Sequence, residues 1–215
     1  MQKVNYQKKL DELIGQLEKK GKVPSLLLHS CCAPCSSYCL EYLSQYFKIT
    51  VFYYNPNIFP KEEYEYRIQE QQRLIDNLPS KHPISFCAKE YEPEKFYEIA
   101  KGYEGEKEGG ERCNRCFRLR LEETAKLAKT LKMDYYTTTL TISPLKNAQN
   151  LNEIGMELGE IYQVDYLESD FKKRGGYKRS IELSKEYELY RQDYCGCVYS
   201  KQETEERREK FSGNI

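Results

Sequence analysis

Short apolar segments alternate with longer stretches of helical periodicity along most of this 215-residue chain. Leu10, Ile14 and Leu17 recur at helical spacing near the start and predict a first helix. Compact runs rich in β-branched and aromatic residues predict strands at 25–30, 48–55, 84–91 and 134–142. Because strands alternate with helices, the pattern predicts βαβ units, in which helices cover a parallel sheet.

The length suits one domain that buries a core without disulfide bonds. We therefore predict a single α/β domain over 1–215, with its core at about 24–145 and a C-terminal helical or loop layer at about 146–215. Lys and Arg total 34, as do Asp and Glu, so a charged partner has to be recognised by a local patch. No apolar run approaches the roughly 18 residues of a membrane span, and no secretory signal opens the sequence. We expect a cytoplasmic protein that has no membrane partner.

Eight of the nine cysteines fall into three groups. The groups are Cys31, Cys32, Cys35 and Cys39, then Cys113 and Cys116, then Cys195 and Cys197. In a reducing compartment such grouping favours metal ligation or thiol redox chemistry over structural disulfides. We interpret Cys39, and the isolated Cys87 in the middle of a strand, as packing residues.

The predicted topology brings the first two groups together. Cys31 and its neighbours follow the first strand directly, and Cys113 begins the helix that leads into the fourth strand. Ligands of open parallel sheets bind beyond the carboxyl ends of the strands. We therefore expect the cysteine groups to meet in one crevice at this edge, although they are far apart in sequence.

The spacing excludes several familiar metal motifs. The chain lacks paired zinc-ribbon knuckles, the ferredoxin run and the cobalamin-binding signature, and Tyr42 stands where a radical-SAM motif after Cys35 and Cys39 would need cysteine. Ligation by sulfur alone leaves zinc or an iron–sulfur cluster. Adjacent cysteines suit the separate corners of a 4Fe–4S cube better than one small ion, but zinc bound by four thiolates stays open.

Cys195-Gly196-Cys197 predicts a different chemistry. One intervening residue would make a small and strained disulfide ring, and strain makes a disulfide easier to reduce. The pair could therefore cycle between dithiol and disulfide and deliver two electrons. Both thiols could instead be additional metal ligands, and the spacing does not decide between these interpretations.

The segment DFKKRGGYKRS, at 170–180, is the most basic part of the chain. Such loops bind phosphate backbones, and their aromatic side chains can stack on bases. An ordinary solvated turn with surface Lys and Arg is the alternative interpretation.

Five motifs follow one another along the chain: LLLHSCCAPCSS, YYNPNI with Tyr64-x-x-Arg67 downstream, RCNRCFRLRLEETAKLA, TTTLTISPLKN and the closing DFKKRGGYKRS through DYCGCVYS. In these motifs and their order, the chain resembles the cobalamin-independent epoxyqueuosine reductase family known as QueH over roughly residues 24–200. The resemblance implies a HUP-like, Rossmann-like α/β fold. It also implies two-electron removal of the epoxide oxygen of epoxyqueuosine at the tRNA wobble position, which gives queuosine.

Carried onto this chain, the resemblance implies 4Fe–4S ligands at Cys31, Cys32, Cys113 and Cys116. It implies a redox-active pair at Cys195 and Cys197, next to Asp193 as a group that orients a thiol or relays a proton. The family is also associated with an additional iron beside the cluster. Cys35 and Asp193 are the candidate ligands for it, with Asp170 as the second choice among the aspartates.

The substrate would be bound by a larger set of basic and polar residues. Anticodon-stem phosphates are assigned to Lys172, Lys173, Arg174, Lys178 and Arg179, and further substrate contacts to Tyr54, Asn55 and Arg67. Tyr54 or Tyr177 would stack on a base that leaves the loop. The electron donor is not identified by the sequence. A zinc-stabilised module that binds tRNA or nucleotides, and a thiol–disulfide oxidoreductase that uses the last cysteine pair alone, are the alternative functions.

Overall fold

The structure, a computed structural model, describes residues 4–212, with side chains through Lys210. Its strands are β1 (Ser25–Ser30), β2 (Lys48–Tyr53), β3 (Ile84–Ala88), β4 (Tyr135–Thr138) and β5 (Asp165–Tyr166). Its α-helices are α1 (Tyr6–Lys19), α2 (Ala33–Leu43), α3 (Lys61–Asn77), α4 (Pro93–Ala100), α5 (Glu111–Thr130), α6 (Ala148–Tyr162), α7 (Gly176–Glu186) and α8 (Val198–Ser212).

The strands form one sheet in the order β3-β2-β1-β4-β5, and every neighbouring pair is parallel. β1 lies in the middle, where Ser30 is in register with Tyr53 of β2 and His29 with Thr138 of β4. A central strand buried on both faces explains why SLLLHS is a continuous apolar run rather than an alternating one. The predicted α/β class with a parallel sheet is confirmed.

Alternate residues of β1 pack against different helices. Leu26 and Leu28 join a core with α1, α2 and α3, whereas Leu27 joins a second core with α5 and α6. All three leucine side chains are fully buried. Replacing one of them with alanine would cost about 2–5 kcal/mol of stability, so β1 is a rigid base for whatever follows it.

The predicted boundaries hold for β1 but change at the fourth strand. The sequence predicts a strand over 134–142, whereas β4 ends at Thr138 and a 3-10 turn spans Thr139–Ile142. The side chain of Thr138 accepts a hydrogen bond from the backbone N–H of Leu140 and so stabilises the turn. The two-residue strand β5 was not predicted, because it is too short to show a pattern of its own. No helix within residues 4–212 is long and apolar enough to cross a membrane.

The strand order defines a switch point between β1 and β4. The chain leaves β1 towards β2 on one side, and β4 pairs with β1 on the other side. In open parallel sheets a crevice for ligands opens at this position, beyond the carboxyl ends of the strands. Cys31 follows β1 there, and Thr139 follows β4.

Candidate active site

Three cysteine sulfurs cluster where β1 ends and α2 begins. Cys31, Cys32 and Cys35, here called the thiol trio, hold their Sγ atoms within 4.8 Å of one another, and the Sγ atoms of Cys31 and Cys32 are 3.9 Å apart. Cys32 caps α2 in an extended conformation, and Pro34 lies in the first helical turn. Three convergent sulfur donors are typical ligands for zinc or an iron–sulfur cluster.

Buried polar side chains hold the backbone around the trio. The amide nitrogen of Asn55 donates to the carbonyl oxygen of Ser30 at 2.8 Å, and the Ser30 hydroxyl donates to Gln71 Oε1 at 2.6 Å. The backbone N–H of Cys31 donates to Thr139 Oγ1 at 3.4 Å. Residues after β2 and β4 thereby support the end of β1 from both sides.

The trio is built to carry negative charge on one sulfur. Hydrogen bonds from the Cys32 and Cys35 thiols, helped by the positive charges of Lys146 and Arg120, hold the pKa of Cys31 well below its usual value. The same hydrogen bond with Cys31 raises the pKa of Cys32 to about 12. A thiolate that accepts hydrogen bonds from two thiols offers three close sulfur ligands to a soft cation.

A second group of four cysteines combines two distant segments. Cys113, Cys116, Cys195 and Cys197, here called the thiol quartet, line a small cavity of about 10 Å³ under α4. The backbone N–H of Gly109 donates to Cys113 Sγ at 3.2 Å, and that of Ser200 donates to Cys197 Sγ at 3.3 Å. Burial raises the pKa of Cys116 to about 12. Burial also raises the pKa of Cys113 and Cys197, so these three thiols favour the protonated state without metal. Among the described residues, no three sulfurs of the quartet lie within 4.8 Å of one another.

Cys195 connects the two groups. It lines the quartet, and it also lines a cavity of about 400 Å³, the central cavity, together with the whole trio. Lys146, Arg191 and Asp193 contribute charged groups to the same cavity. The structure therefore brings Cys195 to the trio's cavity, whereas Cys113 and Cys116 line the smaller cavity, and their predicted meeting with the trio stays a prediction. The assignment of individual ligands stays a prediction.

Asp193 does not join the thiol trio. Among the described residues, the ligand atoms that lie within 4.8 Å of one another belong to the three trio cysteines. The Asp193 carboxylate is exposed and forms an ion pair with Arg208 of α8. Asp170, the second choice, lies 2.9 Å from Lys172 Nζ, in a groove on another side of Lys146. Cys35 thus lies with Cys31 and Cys32, whereas both aspartates have cationic partners.

Three predicted substrate residues are buried. Tyr54 is 0% exposed and packs against Phe52, so its ring offers no face to a base in this structure. Asn55 bonds the backbone of β1 instead of facing the cavity. Arg67 forms an ion pair with Glu63 at 2.8 Å and packs against Gly196. Tyr54 and Asn55 thus support the site from within the core, whereas Arg67 also lines the central cavity. The aromatic rings that line this cavity are Tyr177, which is 36% exposed, and Tyr194.

The basic segment divides into two parts. Lys172, Lys173 and Arg174 line a groove of about 800 Å³, the basic groove, with the start of α1 and the start of α6. Lys178 and Arg179 lie on α7 outside the lining of this groove, and Arg179 pairs with Glu41, Glu182 and Glu186. The first part of the segment therefore lines the basic groove, which shares Lys146 with the central cavity, whereas Tyr177 and Ser180 of α7 line the central cavity itself.

Sequence reasoning missed Lys146 and Arg120. Lys146 lines both the central cavity and the basic groove, and it follows the fourth strand within the motif TTTLTISPLKN. Burial alone would lower its pKa, but the negative charges of Cys195, Cys31 and Cys35 outweigh burial and raise it. Arg120 lies four residues after Cys116 on α5. The helical repeat puts Cys116 and Arg120 on one face of α5, and this spacing could have identified Arg120 as a site residue.

Comparison with known proteins agrees with this geometry. A family model described as epoxyqueuosine reductase QueH matches residues 26–203. Proteins with the same description include one from Staphylococcus epidermidis, 49% identical over 93% of this chain and 85% of its own length. A Streptococcus pyogenes protein is 45% identical over 93% of this chain and 79% of its own length. One from Thermotoga maritima is 36% identical over 87% of this chain and 96% of its own length. The chain therefore belongs to the QueH family of epoxyqueuosine reductases, which are oxidoreductases.

Proposed function

We propose that this protein removes the epoxide oxygen of epoxyqueuosine at the wobble position of tRNA and leaves the alkene of queuosine. The observation that carries the proposal is the convergence of the thiol trio and Cys195 on one cavity at the switch point of the sheet. A chain of the QueH family with this cavity has both a soft-metal donor set and a cysteine pair for two-electron chemistry.

A 4Fe–4S cluster fits the chemistry of the donors present. We assign its ligation to Cys31, Cys32, Cys113 and Cys116, and we assign Cys35 to an additional iron, for which Asp193 would first have to leave Arg208. The assignment is supported by Arg120, on which Cys31, Cys113 and Cys116 all act electrostatically. When bound, the cluster supplies single electrons and the iron supplies Lewis acidity. No cobalamin is part of the proposal.

Cys195 and Cys197 provide the two-electron balance. Removal of the epoxide oxygen breaks two C–O bonds, forms the alkene and needs two electrons and two protons for the departing water. Oxidation of the two thiols to one disulfide releases two electrons and two protons. Cys195 is half-buried at the central cavity, whereas Cys197 is buried and held by Ser200 at the start of α8. We therefore assign Cys195 to the substrate side. An unidentified cellular electron donor would reduce the disulfide after each turnover.

Charged residues at the cavity would orient the substrate. Lys146 is charged and half-buried, so its ammonium can donate a hydrogen bond to the departing oxygen. Arg191 donates to the hydroxyl of Tyr177 at 3.4 Å and thereby holds the exposed ring at the rim. Asp193 at the same rim can accept a proton when it is released from Arg208.

The anticodon arm of tRNA would lie across the basic groove. Lys146 borders both the groove and the central cavity, so a phosphate in one and the modified base in the other can be bound together. Lys172, Lys173 and Arg174 supply the positive charge that phosphate contacts require. The cytoplasm remains the expected compartment, because tRNA is the substrate.

The decisive experiment combines metal analysis with turnover. Protein purified without oxygen should contain iron and acid-labile sulfide, show an EPR signal after reduction and convert epoxyqueuosine in tRNA to queuosine, detected by mass spectrometry of nucleosides. The double variant Cys113→Ala/Cys116→Ala should lose both cluster and conversion. Cys87→Ala, at a half-buried position in β3 away from the cavities, is the matched control and should keep both. A colourless protein that converts the substrate without iron would refute the proposal.

One observation favours zinc as the second candidate. In a tetrahedral site with Zn–S bonds of about 2.3 Å, the sulfurs lie about 3.8 Å apart. The Cys31 and Cys32 sulfurs are already 3.9 Å apart. A zinc-stabilised module that binds tRNA predicts stoichiometric zinc, no visible chromophore and tRNA binding without conversion, and the same analysis separates the two functions.

A further inference from the structure

Arg120 is a positive charge buried inside the protein. Its side chain projects from α5 and is 1% exposed. Nε donates to the carbonyl oxygen of Cys116 at 3.2 Å, and Nη1 donates to Asn55 Oδ1 at 3.3 Å. Nη2 has no hydrogen-bond partner. Both acceptors are neutral, so the hydrogen bonds leave the charge itself unbalanced.

Among the described residues, no carboxylate pairs with Arg120, although Glu108 lines the same small cavity. Other buried or half-buried arginines of the chain have one, since Arg67 pairs with Glu63 and Arg112 with Glu203. Within the described part of the chain, no such ion pair includes Arg120. A buried charge without an opposite charge costs several kcal/mol of stability. A fully buried positive charge therefore implies that an opposite charge lies close to it in the functional state of the protein.

The negative groups that act most strongly on Arg120 are sulfurs from both cysteine groups. Its guanidinium lines the quartet cavity with Cys113, Cys116, Cys195 and Cys197, and Cys31 of the trio also acts on it electrostatically. These cysteines carry several negative charges when they ligate a metal. The missing counter-charge of Arg120 would then be the metal–thiolate centre itself.

We propose that Arg120 is a positioning residue that provides the buried counter-charge for a negatively charged metal–thiolate centre. The inference rests on the proposed function only in placing a metal at these cysteines. A fixed positive charge stabilises the more negative, reduced state of an iron–sulfur centre, so it raises the reduction potential. In the step concerned, the centre accepts one electron from a low-potential one-electron donor, and no bond to the protein forms or breaks.

Three variants test the role. Arg120→Gln removes the charge but keeps a hydrogen-bond donor, Arg120→Lys keeps the charge but changes the hydrogen bonds, and Arg118→Gln is the control. Arg118 lies on the same helix and loses the same charge, but its side chain is 42% exposed and pairs with Glu157. We would measure iron and sulfide content, the midpoint potential in a mediated titration with dithionite, and the melting temperature of each variant.

We expect Arg120→Gln to lower the midpoint potential, Arg120→Lys to restore most of it, and Arg118→Gln to leave it unchanged. If Arg120→Gln loses the cluster, retention of iron by Arg120→Lys supports the proposal. Equal loss in both variants, or a melting temperature that falls while the potential stays at the wild-type value, would overturn it, because a purely structural role explains those results.

Failure of the proposed function gives a separate outcome. If the isolated protein holds zinc, no potential can be measured, but the counter-charge still acts on a zinc–thiolate centre. Competition with a chromophoric chelator should then show zinc affinity about 10- to 100-fold lower in Arg120→Gln, with recovery in Arg120→Lys. Unchanged zinc affinity in Arg120→Gln would remove the role of Arg120 whichever metal is bound.

Discussion

The thiol trio and the thiol quartet are assembled in opposite ways. The trio comes from five consecutive positions, 31–35, and its geometry follows from one strand end and one helix start. The quartet combines α5 with the segment that leads into α8, about eighty residues later. The trio opens onto the central cavity of about 400 Å³, whereas the quartet surrounds about 10 Å³. The first group is prepared locally, and the second depends on long-range docking.

A separate buried residue supports each group. His29 of β1 bridges Thr138 Oγ1 at 2.9 Å and the carbonyl oxygen of Tyr54 at 3.1 Å, which joins three strand ends beneath the trio. Arg112 of α5 donates to carbonyl oxygens of Tyr103, Glu104 and Glu106 and pairs with Glu203 of α8. Because the supports are separate, a change in α8 or in the loop before α5 should open the quartet and leave the trio intact.

The largest expected effect concerns metal binding by each group alone. A variant with Ser in place of Cys113, Cys116, Cys195 and Cys197 keeps the trio, and it should still bind about one equivalent of Co²⁺ with a thiolate charge-transfer band. A variant with Ser in place of Cys31, Cys32 and Cys35 should lose most of this binding, because no three described quartet sulfurs lie within 4.8 Å of one another and burial raises the pKa of Cys113, Cys116 and Cys197. Equal Co²⁺ affinity in the two variants would show that the trio is no better prepared for metal binding than the quartet.

The next effect is a pH dependence of protein stability that arises from His29, which lies beneath the trio. Burial, followed by the nearby charge of Arg120, lowers the pKa of His29 from 6.5 to about 4. Between these values the unfolded chain binds a proton at His29 and the folded protein does not, so stability is lost as the pH falls from 6.5 to 4. The loss should reach about 3 kcal/mol. Urea unfolding of metal-free, reduced protein measures it.

His29→Gln should be less stable at pH 7 and should have a flatter pH dependence between pH 6.5 and 4. His82→Gln, in the half-buried loop before β3, is the matched control. If His29→Gln responds to acid as steeply as the wild-type protein does, other groups cause the destabilisation.

A smaller effect is expected where Arg112 holds the quartet. Arg112→Met removes hydrogen bonds to three carbonyl oxygens and the contact with α8, at a cost of about 1–3 kcal/mol. Peptide mapping after brief alkylation of metal-free protein should show faster reaction of Cys113 and Cys116 and an unchanged rate for Cys31. Arg115→Met, at an exposed position of the same helix, should change neither. Faster alkylation of all three cysteines would show that the two groups open together.

The smallest expected effect shows which basic residues contact tRNA. Lys172→Ala/Lys173→Ala/Arg174→Ala should weaken tRNA binding and reduce the slope of its salt dependence by roughly 0.7–0.9 for each phosphate that is no longer neutralised. Lys178→Ala/Arg179→Ala removes charge from α7, outside the basic groove, and should change the slope less. Binding at several salt concentrations distinguishes them. An equal change in both variants would show that the basic groove beside the trio has no special part.

Periodicity predicted the parts of the site that depend on strand ends. The run SLLLHS followed by cysteines placed Cys31 at the edge of the sheet, because the carboxyl ends of parallel strands share that edge. Tyr54 and Asn55 also follow a strand, but their side chains turn into the core to support β1 and α5. No local pattern distinguishes a residue that faces the crevice from one that supports it. The pairing of Asp193 with Arg208 likewise depends on how α8 docks.

The conformation of Gly196 determines which residue type fits between Cys195 and Cys197. Its φ of +114° lies in the region that favours glycine, and a Cβ atom there would lie 3.0 Å from Arg67 Nη1 and 3.1 Å from Ile58 Cγ1. Even alanine would strain the backbone and push against a guanidinium that Glu63 holds in place. The backbone between the two cysteines is thus constrained by Arg67 of α3 and by Ile58 in the loop before that helix. Engineering this thiol pair would require changes to that helix as well as to the residues beside the sulfurs.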